Sequence, residues 1–153
     1  MNRLSRAGTV GKARGRAEGP LRLLRADCRR LQTPFDERDV RLSPDGEWPT
    51  FTSNESGTGE AYVTTFPTAG RRHRASTDGG GQARWGAGGK EIVFQSRNRL
   101  MSATFSVTPA GDPALGTPRV LFTLPEDAGR WTVADNGQRF LVNLQVTPGS
   151  RGR

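Results

Sequence analysis

From residue 31 onward, short apolar runs alternate with clusters of turn-forming residues. Asp, Gly, Pro, Ser and Asn separate brief runs of Val, Ile, Phe, Thr and Trp. Runs of this length that are rich in β-branched and aromatic residues favour strands, and the residues between them favour turns. No segment combines a cap, an apolar helical face and a stop. The pattern predicts six strands, at Trp48–Ser53, Ala61–Phe66, Glu91–Ser96, Leu100–Val107, Arg119–Phe122 and Arg139–Asn143.

Three segments of this region share one pattern: an apolar residue, a four-residue turn that ends in glycine, and a short apolar strand. The turn glycines are Gly46, Gly89 and Gly137, which are 43 and 48 residues apart. A period near 45 residues with about four strands in each unit is typical of a β-propeller blade, whereas an ordinary β-sandwich is the alternative. The predicted turn residues are Ser43, Pro44, Asp45, Gly46, Gly89, Asp135, Asn136 and Gly137.

Specific motifs lie within this repeat. They include Leu42-Ser-Pro-Asp-Gly46, Thr52-Ser-Asn-Glu-Ser-Gly57, Ser76-Thr-Asp-Gly-Gly80, Gly89-Lys-Glu-Ile92 and Gly137-Gln-Arg-Phe-Leu-Val-Asn143. Together, residues 31–143 resemble the last blades of the WD40-like (TolB-type) propeller found C-terminal to many bacterial serine/threonine protein kinases. The resemblance implies a partial β-propeller of two to three four-stranded blades. It also implies a sensing or interaction module that normally follows a kinase domain and a transmembrane helix, outside the cytoplasm.

The chain departs from that pattern at several points. Pro49 follows Trp48 where an aliphatic residue is usual, so we expect this strand to be weakened, bulged or at an edge. The second turn, Gly86–Gly89, has no aspartate. Because the strand pattern stops abruptly before Leu31 and after Val146, we expect both ends to derive from a longer reading frame that was cut or shifted.

Charge is concentrated at the N-terminus. Residues 1–34 carry nine basic and two acidic residues, which account for +7 of the net charge of +8. We expect residues 1–30 to form a disordered or non-native head, with residues 31–146 as blades and residues 147–153 as a tail. The alternative is a basic amphipathic segment that binds an acidic or membrane surface.

The motifs of common catalytic sites are missing from the sequence. It has no kinase catalytic loop and no Gly-x-Ser-x-Gly. His73 is interpreted as solvated in a polar loop, Asp36–Asp39 as a solvated loop rather than a calcium site, and the tryptophans as core residues. With a single cysteine, Cys28, no intramolecular disulfide can form. We therefore predict no catalytic, cofactor-binding or metal-binding residues.

Three functions remain open. The first is a non-catalytic module for protein interaction or sensing, with a protein or small-molecule ligand that the sequence does not identify. The second is the non-catalytic portion of a kinase or peptidase polypeptide. The third, and the least favoured, is a small nucleic-acid-binding protein acting through residues 1–30, where the basic residues cluster while the body is nearly neutral. Open blade edges predict self-association. Without a predicted membrane span or signal peptide, a free chain would be cytoplasmic by default.

Overall fold

The protein is described by a computed structural model that covers residues 33–66, 69–134 and 137–145. Within these ranges the chain is all-β and forms several antiparallel sheets. The predicted head and tail, together with Asp135 and Asn136, lie outside the described residues. The strands are β1 Glu37–Leu42, β2 Pro49–Ser53, β3 Glu60–Val63, β4 His73–Arg74, β5 Gly81–Gly86, β6 Glu91–Ser96, β7 Arg99–Val107, β8 Pro113–Leu115, β9 Arg119–Thr123, β10 Ala128–Ala134 and β11 Arg139–Leu144.

The first sheet has four strands in the order β1-β2-β3-β4, so each strand pairs with the next one along the chain. Of the outcomes expected for the Pro49 strand, an edge position is wrong, because β2 pairs with β1 on one side and β3 on the other. The ladder between β1 and β2 is irregular, with a register shift between Arg38 and Arg41 of β1. Pro49 is the first residue of β2, where a missing backbone donor is tolerated. Its carbonyl accepts a hydrogen bond from the Thr64 amide at 3.2 Å.

The second sheet repeats this order through β5, β6 and β7, and adds two strands on the far edge of β7. The first part of β7 pairs with β9, and the last part pairs with β8. The third sheet consists of β10 and β11. The first sheet therefore has the four strands expected of each unit, the second has five, and two are described for the third.

Two apolar cores separate the three sheets. Strand β6 contributes to both of them, because successive side chains of a strand point to opposite faces. Ile92 and Phe94 lie in the core between the first and second sheets, whereas Val93 lies in the core between the second and third. The middle sheet is therefore buried on both faces, which explains why β6 has a continuous apolar run rather than alternating polar residues.

The first strands of the three sheets are neighbours in space. Strand β5 contacts β1 on one side and β10 on the other. The Trp85 indole on β5 donates a hydrogen bond to the Arg41 carbonyl on β1 at 3.3 Å. The sheets thus follow one another in chain order, with their first strands side by side.

All six predicted strands are confirmed, with ends that differ by a few residues. Five strands were not predicted: β1, β4, β5, β8 and β10. Two loop assignments are consequently wrong. Glu37 to Asp39 belong to β1, and His73 lies in β4, paired with Val63. No helix among the described residues is long and apolar enough to cross a membrane.

Candidate binding site

The turn between β1 and β2 is held by its own side chains. The Ser43 hydroxyl donates to the Asp45 carboxylate at 2.5 Å and accepts a hydrogen bond from the Trp48 amide at 2.9 Å. The Gly46 amide donates to the Ser43 carbonyl at 2.9 Å, and Gly46 has a φ of +82°. Because a positive φ of this kind is strained for residues with a side chain, glycine suits this position. Pro44 lies exposed within the turn.

The aligned turns of the three sheets lie against one another. Gly89 and Gly137 also have positive φ, at +90° and +93°. A β-carbon at Gly89 would lie 3.3 Å from the Pro44 ring, and one at Gly137 would lie 3.2 Å from the Ala87 amide. The repeat in the sequence therefore corresponds to a row of turns at one end of the sheets, and these residues have a structural role in the turns.

A cleft of about 380 Å³ lies at the sheet end where β1 and β5 begin and β2 ends. We call it the polar cleft. Its walls combine charged side chains, amides, one threonine and three glycines. They are formed by Asp36, Arg38, Asp39, Thr52, Asn54, Gly59, Gly80, Gly81 and Gln82.

The backbone is irregular where β1 and β5 border this cleft. Pairing in β1 shifts between Arg38 and Arg41, and pairing in β5 shifts between Gly81 and Arg84. Asp39 and Gln82 lie within these bulges and have φ values of +57° and +51°. A non-glycine residue in this region is uncommon, and such strain concentrates at functional sites. The two bulges turn one carboxylate and one amide residue to the same cleft, 43 positions apart in the chain.

Thr52 supplies an unusual polar atom to the cleft. The residue is 9% exposed, and its Oγ1 is fully buried with no hydrogen-bond partner in the described part of the chain. Leaving a buried hydroxyl unpaired costs about 1–3 kcal/mol. Because Oγ1 is closed off from the cleft surface, a ligand would have to open a path to the hydroxyl before a hydrogen bond to it could remove that cost.

Three arginines lie along the first strands, one from each sheet. Arg41 is on β1, Arg84 on β5 and Arg130 on β10, and we call them the arginine group. Burial lowers the pKa of Arg84, and the charge of Arg41 lowers it further. The charge of Asp39 raises the pKa of Arg84, and the charge of Arg130 lowers it by a smaller amount. Arg41, Asp39 and Arg130 are therefore each close enough to act on Arg84.

An aromatic ring supports the central member of this group. The Arg84 guanidinium lies 5.7 Å from the centre of the Trp131 ring, which favours a cation above an aromatic face. The Trp131 indole is itself fixed, because it donates to the Gln95 side-chain oxygen at 3.1 Å. Arg84 is thus held in one orientation between the second and third sheets.

Other charged groups of the first sheet have structural partners. Arg72 contacts Glu37 at 2.6 Å and Glu55 at 2.7 Å, and Glu60 is buried where the Ser76 hydroxyl and the Gly79 amide donate to it. These pairs tie loops to strands. Because Arg72 and Glu60 are engaged in this way, the polar cleft and the arginine group are the charged features best placed to bind a ligand.

The predicted turn residues that the structure describes, Ser43 to Gly46, Gly89 and Gly137, lie at one end of the sheets, and the polar cleft lies at the other. Asp36–Asp39 were predicted to form a solvated loop, and Thr52, Gln82 and Arg84 were not predicted as site residues. One signal was available: Arg41 and Arg84, like Asp39 and Gln82, occupy corresponding positions of the repeat. The described residues contain no group of three or more His, Cys, Asp or Glu side chains that could hold a metal ion.

Comparison with known proteins places the chain in no family. No protein-family model matches it, and no curated protein matches it. The inferences about its function therefore depend on the fold, the two surface features and the resemblance described above.

Proposed function

We propose that the chain is part of a WD40-like β-propeller and acts as a non-catalytic module for protein interaction or sensing, within a larger receptor kinase. The repeat in the sequence and the resemblance to kinase-associated propellers support this. The proposal makes the three sheets successive blades, with β1, β5 and β10 as the strands nearest the axis.

The observation that carries the proposal is the burial of the middle sheet on both faces. In a β-sandwich two sheets enclose a single core, whereas blades pack face to face in sequence around an axis. Here Ile92 and Val93, which are neighbours on β6, lie in two different cores. The adjacent first strands and the row of turn glycines agree with the same arrangement.

The polar cleft would be the binding surface of this module. It is built from the beginnings of two first strands and from the loops at that sheet end. Loops held by a rigid scaffold commonly carry binding residues. Thr52, whose buried hydroxyl has no partner among the described residues, lies on β2, which is paired with β1 on one side and β3 on the other. One wall of the polar cleft is therefore a strand paired on both sides, and polar side chains line its entrance.

Selection of peptides from a displayed random library on the full 153-residue chain tests this function. We expect selected peptides to bind the parent chain and to bind Thr52→Val more weakly, because valine keeps the shape and removes the hydroxyl. Thr123→Val, at an exposed position on β9, is the matched control and should bind as the parent does.

Two results would contradict the proposal. One is the absence of any selected peptide that binds the chain, and the other is equal binding by the two threonine variants. A parallel assay for ATP hydrolysis and peptide cleavage by the same chain should give no turnover above background, since we propose no catalytic residues in it.

A further inference from the structure

The arginine group has charge that no carboxylate in the described part of the chain neutralises by direct contact. Among the described residues, none of the three arginines forms a salt bridge within 4.0 Å. Arg41 and Arg84 each donate instead to the carbonyl of the preceding residue, at 2.8 and 2.9 Å. A guanidinium has five N–H donors, so most of the donors in this group remain available.

We infer that the arginine group binds the carboxylates of an acidic peptide segment, whose backbone amides contact the adjoining polar cleft. This inference rests on the proposed function, that the chain binds another protein. Arginine suits the role because its planar fork donates two parallel hydrogen bonds to one carboxylate. Three guanidinium groups on three neighbouring strands can bind several acidic side chains along one extended peptide segment.

The position of Arg84 makes the site more than an exposed basic patch. Arg84 is half-buried and packed on Trp131, so its side chain loses little conformational freedom when a ligand arrives. Arg41 and Arg130 are exposed on the flanking strands. The like charges around Arg84 oppose one another, and an incoming carboxylate relieves that repulsion.

The neighbouring cleft favours a peptide over a nucleic acid. Asp39, at the end of the arginine group, repels phosphates and carboxylates alike, and Asp36 is paired with Arg38, so the distinction between the two ligands comes from hydrogen bonding. The side-chain amides of Asn54 and Gln82, which keep donors and acceptors beyond their bonds to the Asp36 amide and to Gln95, match the N–H and C=O groups of a peptide backbone.

Binding of a fluorescently labelled hexaglutamate peptide to the full chain, followed by anisotropy at low salt, tests this inference. We expect Arg84→Gln and Arg41→Gln each to weaken binding about tenfold, as for loss of a charge-assisted bidentate contact. Asp39→Asn should strengthen binding severalfold, because it removes the carboxylate nearest the group. The control is Arg74→Gln, which removes an exposed arginine from β4 and should change binding less than twofold.

The comparison among variants separates this site from the basic residues 1–34, because every variant carries them unchanged. Equal weakening by Arg84→Gln, Arg41→Gln and Arg74→Gln would overturn the inference, since it would reflect total charge alone. Asp39→Asn without tighter binding would also overturn it. Arg41 is exposed, so Arg41→Gln remains informative if Arg84→Gln fails to fold.

Two further probes identify the source of the carboxylates. Glutarate at the same carboxylate concentration should not displace hexaglutamate, because it lacks the backbone that the cleft contacts. Hexathymidylate should bind with no dependence on Arg84; tighter, Arg84-dependent binding would assign the site to nucleic acid and overturn the inference. If library peptides bind through Thr52 but hexaglutamate does not, the proposed function stands and this inference fails.

Discussion

Phe105 joins the first two sheets, and its removal should be among the most damaging single substitutions in the described chain. It is 7% exposed and lies on β7. Its ring makes edge-to-face contacts with Trp48 of the first sheet at 5.3 Å and with Trp85 of the second at 4.9 Å. Phe105→Ala should lower the free energy of unfolding by about 3–5 kcal/mol. Each edge-to-face pair contributes about 0.5–1.5 kcal/mol of that loss.

Urea unfolding followed by tryptophan fluorescence measures this effect, because two of the three indoles contact Phe105. Phe35→Ala is the control: Phe35 is 44% exposed, so its removal should change stability by no more than about 0.5 kcal/mol. A domain typically has only about 5–15 kcal/mol of stability, so Phe105→Leu provides a milder variant with an expected loss of about 1–3 kcal/mol.

A double-mutant cycle between Trp48→Leu and Phe105→Leu isolates their contact. We expect a coupling of about 0.5–1.5 kcal/mol. If Phe105→Ala cost no more than Phe35→Ala, or if the cycle gave no coupling, then the two sheets would not share the core described here.

Three other substitutions give separate tests. Gly137→Ala should lower stability by about 1–2 kcal/mol in a thermal or urea titration, because a side chain at φ +93° is strained; an unchanged midpoint would contradict the turn geometry. Ser76→Ala should lower the free energy of unfolding by about 1–3 kcal/mol in the same titration. The Ser76 hydroxyl accepts a hydrogen bond from the Ala61 amide at 2.8 Å and donates one to buried Glu60. A loss of stability below about 0.5 kcal/mol would show that these two hydrogen bonds contribute little. Thr52→Val should raise the free energy of unfolding by about 1 kcal/mol while it weakens peptide binding. A lower stability of this variant would mean that the Thr52 hydroxyl has a hydrogen-bond partner in the free protein.

The strands that the sequence predicted owe their formation to local composition. Glu91–Ser96 and Leu100–Val107 are rich in β-branched and aromatic residues, which suit a pleated and buried surface. The turn glycines were also recognisable, because their period is regular and their neighbours are turn formers. These local signals sufficed for an all-β chain with repeated hairpins.

The first strands of the sheets were not recognisable in the same way. Strand β5, Gly81–Gly86, contains two glycines, a glutamine and an arginine, which have weak or unfavourable strand preferences. It forms because β6 pairs with it along one edge, and β1 and β10 contact it from neighbouring sheets. Such support comes from residues far along the chain.

The sequence by itself determined the six strands that are rich in β-branched and aromatic residues and the turns of the repeat, because side-chain shape and backbone preference act over a few residues. Only the tertiary structure decided the candidate site. Arg41, Arg84 and Arg130 come together because three sheets stack with their first strands adjacent, and Thr52 loses its solvent because the sheets pack around it. The surroundings of Arg84 arise from contacts across more than 40 positions of the chain, with Arg41 on one side and Trp131 on the other, whereas Thr52 lies against Gly81, 29 positions away.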